Sequence, residues 1–251
     1  VLNIQNYVKV NDLEEAYVLN QKRTNIILGG MLWLKMGNRN IVNAIDLSAL
    51  GLDKIEEDEK EFSIGCMCSL RDLEQSLSLN QYFNNAFKEC TRHIVGVQFR
   101  NCATIGGSVF GRYGFSDILT CLQALDTYVE LYKGGLVALE EFMTMARDND
   151  ILVRVIIKKD KRNIQYISQR MTKTDFPIIA CAVAEDKEKY YISIGARPAR
   201  ATLQVVDKVR MNMETIDEVI GDIVFGTNMR GSEIYRRHLA KVLVKRCLEK
   251  L

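Results

Sequence analysis

Two glycine pairs constrain this chain more than anything else in it. Gly29-Gly30 closes the apolar run Ile26-Ile27-Leu28, and Gly106-Gly107 sits inside Arg100-Asn101-Cys102-Ala103-Thr104-Ile105-Gly106-Gly107-Ser108. A glycine pair leaves bare backbone that reaches φ > 0 and lets a ligand approach the peptide N–H groups. Successive N–H groups in a tight turn make a concave anion site. Neither pair belongs to a Gly-x-Gly-x-x-Gly fingerprint, and neither is followed by Lys-Ser/Thr, so Rossmann and Walker A loops are both excluded. Spacing alone leaves two readings open. The turns either close on a pyrophosphate from both sides or are two ordinary tight turns.

The remaining pattern frames these turns. Residues 1–10 read as a strand, Asn11 or Asp12 caps a helix, and residues 26–28 and 41–47 read as strands, giving a small β-α-β unit. Residues 53–61 are a charged hairpin or loop, and 62–66 resume a strand. Helices are expected from Ser69, from about Gln81 to His93, and after Asp117 over 118–125. Residues 128–132 and 151–158 read as strands, with a hairpin turn at Gly134-Gly135. The composition shifts at Lys158-Lys159-Asp160-Lys161-Arg162, which marks a domain boundary. Beyond it, residues 163–168, 178–184 and 190–194 read as three strands, and 203–211, 216–224 and 231–251 as helices. Strands first and helices later give an α+β class.

Charge and cysteine usage exclude several functions. The 34 Lys and Arg against 32 Asp and Glu leave a formal charge of +2, which gives no nucleic-acid or membrane surface. Apolar runs such as Ile26-Ile27-Leu28 are far too short for a bilayer. The N-terminus reads as a strand rather than a signal peptide. Seven cysteines, an odd number in a chain with a full core, point to a reducing cytoplasm. Cys66-Met67-Cys68 has no second pair at ligand spacing, so no metal site is expected. His93 and His238 read as ordinary helical residues, and the Arg236-Arg237 pair as a solvated helix face or a subunit contact.

The motifs also resemble a known family. Leu28-Gly29-Gly30 with its apolar continuation, then Arg100-Asn101-x-Ala103-Thr104-Ile105-Gly106-Gly107-Ser108, then Ser116-Asp117 with an apolar helix ending Ala124-Leu125-Asp126, are similar to the FAD-binding medium subunit of molybdenum hydroxylases, of xanthine dehydrogenase and carbon monoxide dehydrogenase type. Gly231-Ser232-x-x-Tyr235-Arg236-Arg237-x-Leu239-x-x-Val242-Leu243 resembles the closing helix of that family, so the resemblance runs through nearly the whole chain.

The resemblance implies an α+β fold with two parts. Residues 1–158 would form a two-subdomain FAD-binding domain of the vanillyl-alcohol-oxidase type, divided into 1–52 and 53–158. Residues 159–251 would form a domain of a three-stranded antiparallel sheet and helices. FAD is the implied cofactor, and no side chain is implied as catalytic. Ile27, Leu28, Gly29, Gly30, Met31, Leu32, Trp33 and Leu34 would wrap the pyrophosphate and ribityl region. Thr104, Ile105, Gly106, Gly107 and Ser108 would form the opposite wall. Asp117 would accept a hydrogen bond from the flavin or ribityl side, Ile94 would lie close to the flavin, and Leu152 would touch a cofactor edge. Tyr113 falls where a ring can stack on the flavin.

The implied partners are a molybdopterin-binding large subunit and a [2Fe-2S] small subunit in a cytoplasmic hetero-oligomer, with NAD+ or another acceptor taking the electrons. Two alternatives stand beside this reading: a scaffold subunit without flavin, and a stand-alone FAD-dependent reductase or oxidase. The chain departs from the family at three places. Met31-Leu32 replace a polar residue, residues 134–151 are short, and Gln169-Arg170 follow where a Lys near 167–168 is usual. Arg170 either substitutes for that Lys or lies on the surface.

Overall fold

The computed structural model describes residues 1–251. The chain weaves between two compact units. The first holds Val1–Asp72, Val97–Phe110 and Thr127–Ile157, and the second holds Leu73–Gly96, Gly111–Asp126 and Lys158–Leu251. One crossing falls at the charged stretch read as a boundary. The two earlier excursions carry no compositional mark.

The first unit opens with a parallel sheet in the order Asn3–Lys9, Asn40–Asp46, Ile26–Leu28. Parallel neighbours need a crossover, and the helix Leu13–Asn20 supplies one, capped by the Asp12 carboxylate accepting the Glu15 N–H at 2.8 Å. Leu28, Ile41 and Ala44 are buried in a small core against Leu34 and Met31. The carboxyl end of Ile26–Leu28 runs straight into Gly29-Gly30. Ligands of open α/β sheets gather at such strand ends.

A second sheet in this unit runs Ile55–Glu57, Glu61–Gly65, Leu152–Lys158, Thr127–Leu131, Gly135–Ala138. The charged stretch near residue 58 is a hairpin, with Asp58 accepting the Lys60 and Glu61 N–H groups. Buried Asp150 fixes the turn at Lys133-Gly134 by accepting both of their amides.

The second unit is built on an antiparallel sheet of four strands, in the order Thr202–Asp207, Lys189–Gly195, Pro177–Glu185, Asn163–Arg170. The fourth strand, Thr202–Asp207, occupies a stretch that reads as helix in the sequence. Val205 and Val206 are β-branched and alternate exposed and buried along a ladder with Lys189–Gly195. In the central strand, Ile179, Cys181 and Val183 pack into a core with Leu243, Val244 and Cys247 of the helix Glu233–Leu248. The alternate residues Ala180, Ala182 and Ala184 are small. The helix Asp117–Gln123 lies against this strand and its neighbour, every residue buried. Gly195 permits that approach, since a Cβ there would lie 1.9 Å from the Thr120 hydroxyl oxygen.

Arg236 corrects the sequence reading. It is not on a solvated face but 1% exposed. Its guanidinium donates to the carbonyl of Ile178, to the carbonyl of Ala196 at 2.6 Å, and to the Asn228 side chain. The Ile178 and Ala196 carbonyls, which have no ladder partner, draw it inward, and its Nε–H donates to the Gly231 carbonyl at 3.3 Å. Arg237 donates to the Ile220 and Gly221 carbonyls at the end of the helix Met213–Gly221.

No helix is long and apolar enough to cross a membrane. Of the seven cysteines only Cys102 is exposed. Burial pushes the Cys66 and Cys68 thiols up to about 12. Thiolate is the reactive form, so titration with a disulfide reagent at pH 8 is expected to modify Cys102 rapidly and the others only on unfolding. Two or more fast thiols in the native chain would contradict this packing.

Candidate functional site

The structure brings the two glycine pairs together within the first unit. A Cβ on Gly30 would lie 1.9 Å from the Cys102 carbonyl oxygen and 3.0 Å from the Ala103 nitrogen. A Cβ on Gly29 would lie 2.9 Å from the Thr104 hydroxyl oxygen. Backbone therefore packs directly on backbone. The glycines are required for this contact and not for a left-handed conformation. None of the four has φ in the positive region, whereas Met31 does, at 59°. A left-handed residue in a turn aims neighbouring amides into one concavity. The N–H groups of Gly30, Met31 and Leu32 donate to no protein acceptor.

The second pair differs from its sequence reading. Arg100, Asn101 and Cys102 end the helix Val97–Cys102, and Gly106-Gly107 lie in the first turn of the helix Ile105–Gly111 rather than in a tight turn. Its amides are already engaged. Ile105 donates to the Cys68 carbonyl at 2.9 Å, Gly106 to the Cys66 carbonyl at 2.9 Å, and Gly107 to the Thr104 hydroxyl at 3.2 Å. The Ser108 hydroxyl donates to the Thr104 carbonyl. Gly106 is glycine because a Cβ would meet the Cys66 carbonyl at 2.6 Å. What this wall offers outward is the Thr104 hydroxyl, whose oxygen accepts from Gly107 while its hydrogen stays available. The residues fit a group with anionic oxygens: three bare amides and a hydroxyl are donors, and the glycines keep Cβ atoms out of the cradle.

The other expected residues distribute as follows. Ile27 pairs with Ile45 in the parallel sheet. Leu32 is half-buried, and Trp33 is 44% exposed. Met31 and Leu34 turn onto the sheet core, so Met31 serves as an apolar anchor where a polar side chain was expected. Leu152 is buried and paired with Leu131. Ile94 and Asp117 belong to the second unit.

Asp117 begins the buried helix Asp117–Gln123. The Tyr166 hydroxyl and an Arg170 Nη both donate to its Oδ1, and Oδ2 accepts from neither. Arg170 also donates to the Asp175 carbonyl at 2.5 Å. Arg170 is therefore not a surface residue, since its side chain is 7% exposed in this ion pair. Burial pushes the Asp117 carboxyl above the usual carboxylate range, and the Arg170 guanidinium and then the Tyr166 hydroxyl pull it part of the way back. Burial, followed by the Asp117 charge, holds the Tyr166 hydroxyl well above its ordinary value. Tyr166 is the residue the sequence did not single out. It sits as one more alternating apolar position of its strand, and nothing local ties it to Asp117.

Residues 2–159 match the family described as the FAD binding domain in molybdopterin dehydrogenase. Among curated proteins, the uncharacterized protein YgfM of Escherichia coli K12 is 26% identical over 204 residues, which is 80% of this chain and 77% of that protein. Among solved structures, quinoline 2-oxidoreductase from Pseudomonas putida 86 superposes with a TM-score of 0.85 at 19% identity, covering 98% of this chain and 95% of that one. Carbon monoxide dehydrogenase from Hydrogenophaga pseudoflava, in a form lacking the Mo-pyranopterin moiety, superposes with a TM-score of 0.85 at 20% identity, covering 99% and 97%. At these identities the two structures establish the fold.

Proposed function

The chain belongs to the family of FAD-binding domains of molybdopterin dehydrogenases, and from that premise we propose that it is the flavin-holding subunit of a larger electron-transfer assembly. FAD is its cofactor. The observation that carries the reading is the contact of Gly30 with Cys102, which leaves the amides of Gly30, Met31 and Leu32 without protein acceptors. These amides bind the pyrophosphate, and the Thr104 hydroxyl adds a donor from the facing wall. Asp117 offers Oδ2 to the flavin or ribityl side, with Oδ1 held by Tyr166 and Arg170.

Held by these amides and the Thr104 hydroxyl, FAD would supply the redox chemistry between [2Fe-2S] clusters of a small partner subunit and NAD+ or another acceptor. The oxidised substrate belongs to a molybdopterin-binding large subunit of xanthine dehydrogenase or carbon monoxide dehydrogenase type. Molybdenum and iron–sulfur chemistry are assigned to those partners by the resemblance to the molybdopterin dehydrogenase family. Residues 1–158 are read as the cofactor-holding domain and 159–251 as the closing domain. The unpaired thiols suit a cytoplasmic assembly.

The test is reconstitution. The purified chain titrated with FAD is expected to give a saturable change in flavin absorbance and quenched flavin fluorescence, reaching one flavin per chain. No uptake would leave a scaffold subunit, the reading that the apolar anchor Met31 favours.

A further inference from the structure

We propose that Tyr166 is a positioning residue for the cofactor: its hydroxyl fixes the Asp117 carboxylate so that Oδ2 alone is presented to the flavin or ribityl side. The inference rests on the reading of the chain as a flavin holder. It goes further by giving a role to a residue that acts on the ligand only through another.

The carboxylate is divided unevenly. Each carboxylate oxygen has two lone pairs, and Oδ1 takes two donors, the Tyr166 hydroxyl and an Arg170 Nη. That fills it. Oδ2 accepts from neither and, unlike the orphaned polar atoms of the core, is not closed off from the surface. The Asp117 side chain keeps 6% of its surface exposed. The free acceptor is therefore at the opening and the satisfied one is behind it.

Both donors are held from behind. Tyr166, Ser168 and Arg170 alternate along the strand Asn163–Arg170, so all three project from one face. Tyr166 pairs with Ala182 in the ladder and is 5% exposed. The Arg170 Nε–H donates to the Ser168 hydroxyl at 3.3 Å. Asp117 opens a helix whose first turn is tied by the Ser116 hydroxyl, which accepts the Leu119 N–H at 3.2 Å.

The two donors do different work. The last torsion of an Asp side chain is broad and two-fold, so a single donor leaves the carboxylate able to rock and to exchange its oxygens. Arg170 supplies the charge that offsets burial. The neutral Tyr166 hydroxyl adds a second direction, which removes the rocking. An acceptor already fixed in its bound orientation binds more tightly, because no side-chain freedom is lost when the ligand arrives.

A double-mutant cycle on FAD affinity tests this. Tyr166→Phe keeps the ring and is expected to weaken FAD about fivefold to tenfold. Asp117→Asn keeps the shape of the side chain but puts a donor at the Oδ2 position, and is expected to weaken FAD about tenfold or more. Within the Asp117→Asn chain, Tyr166→Phe is expected to change affinity by less than about twofold, because no acceptor is left to aim. Tyr191→Phe breaks a hydrogen bond to Asp186 on the same sheet and is the control, expected to stay within about twofold. Equal losses from Tyr166→Phe in both backgrounds, no loss in either, or a loss of the same size from Tyr191→Phe would each overturn the proposal. Thermal melting checks that the variants fold. A second measurement needs no variant: the Tyr166 hydroxyl proton, held by a buried carboxylate, is expected as a slowly exchanging downfield NMR signal that shifts on FAD binding. A signal unmoved at saturating FAD overturns the proposal as well. Failure of the unaltered chain to take up FAD is a distinct result, which removes the flavin reading and this inference with it.

Discussion

Gly30→Ala is expected to abolish FAD retention under conditions where the unaltered chain is saturated. The added carbon would stand 1.9 Å from the Cys102 carbonyl oxygen and 2.5 Å from its carbon. Both are backbone atoms, so no rotamer change relieves the clash, and the Gly30 turn must separate from the helix end at Cys102. Forced overpacking costs about 1–3 kcal/mol of stability. The larger effect falls on the cofactor, because separation moves the bare amides of Gly30, Met31 and Leu32 away from the Thr104 wall. A loss of about 100-fold in FAD affinity follows if the misplaced donors forfeit about 2.7 kcal/mol of binding. Gly51→Ala is the control. Gly51 has φ of 65° and open space around its Cβ position, so it loses about 1 kcal/mol of stability through conformation alone and keeps its flavin. Melting curves and flavin titration of the two variants separate the effects. Unchanged FAD affinity in Gly30→Ala would remove the cradle as the cofactor site.

The glycine pairs were legible in the sequence, but their physical reason was not. Composition suggests positive φ, while the actual requirement is close approach between residues 30 and 102, which is a tertiary fact. Gly106-Gly107 illustrate the same limit. A Gly-Gly step disfavours helix, yet the hydrogen bonds to Cys66 and Cys68 start a helix there. The strand Thr202–Asp207 also escaped, because a short apolar run does not distinguish helix from strand until a neighbouring edge is present. The parallel entry, the charged hairpin and the closing helix were readable because each rests on local pattern and capping. Asp117 was singled out through motif resemblance, whereas its partners Tyr166 and Arg170 lie 49 and 53 residues away. No spacing rule connects positions that far apart.

Those partners make Asp117 the second decisive position, and they allow its structural and cofactor roles to be separated. Asp117→Ala leaves the Arg170 charge buried without its carboxylate, which is expected to cost about 3–5 kcal/mol. Lost flavin in that variant would therefore be uninformative alone. Asp117→Leu combined with Arg170→Met and Tyr166→Phe removes every member of the cluster. Replacing a buried pair by apolar residues is close to neutral, so stability is expected within about 2 kcal/mol of the unaltered chain. FAD affinity is expected to remain down by about tenfold or more, since the Oδ2 acceptor is gone. Recovery of FAD binding together with stability would show that Asp117 supports only the fold. The pH dependence gives a second readout with a fixed sign. The folded Asp117 carboxyl titrates above its ordinary 3.8, so the folded state holds that proton more tightly than the unfolded state. Its contribution favours the fold at low pH and fades as pH rises from the ordinary value through the raised one. Arg170→Met alone removes the main downward pull and extends this fading to higher pH, while the triple variant loses it. Urea melts across pH 3.5 to 7.5 measure both. Identical pH slopes in all three proteins would mean that Asp117 does not titrate as a buried, Arg170-held carboxyl.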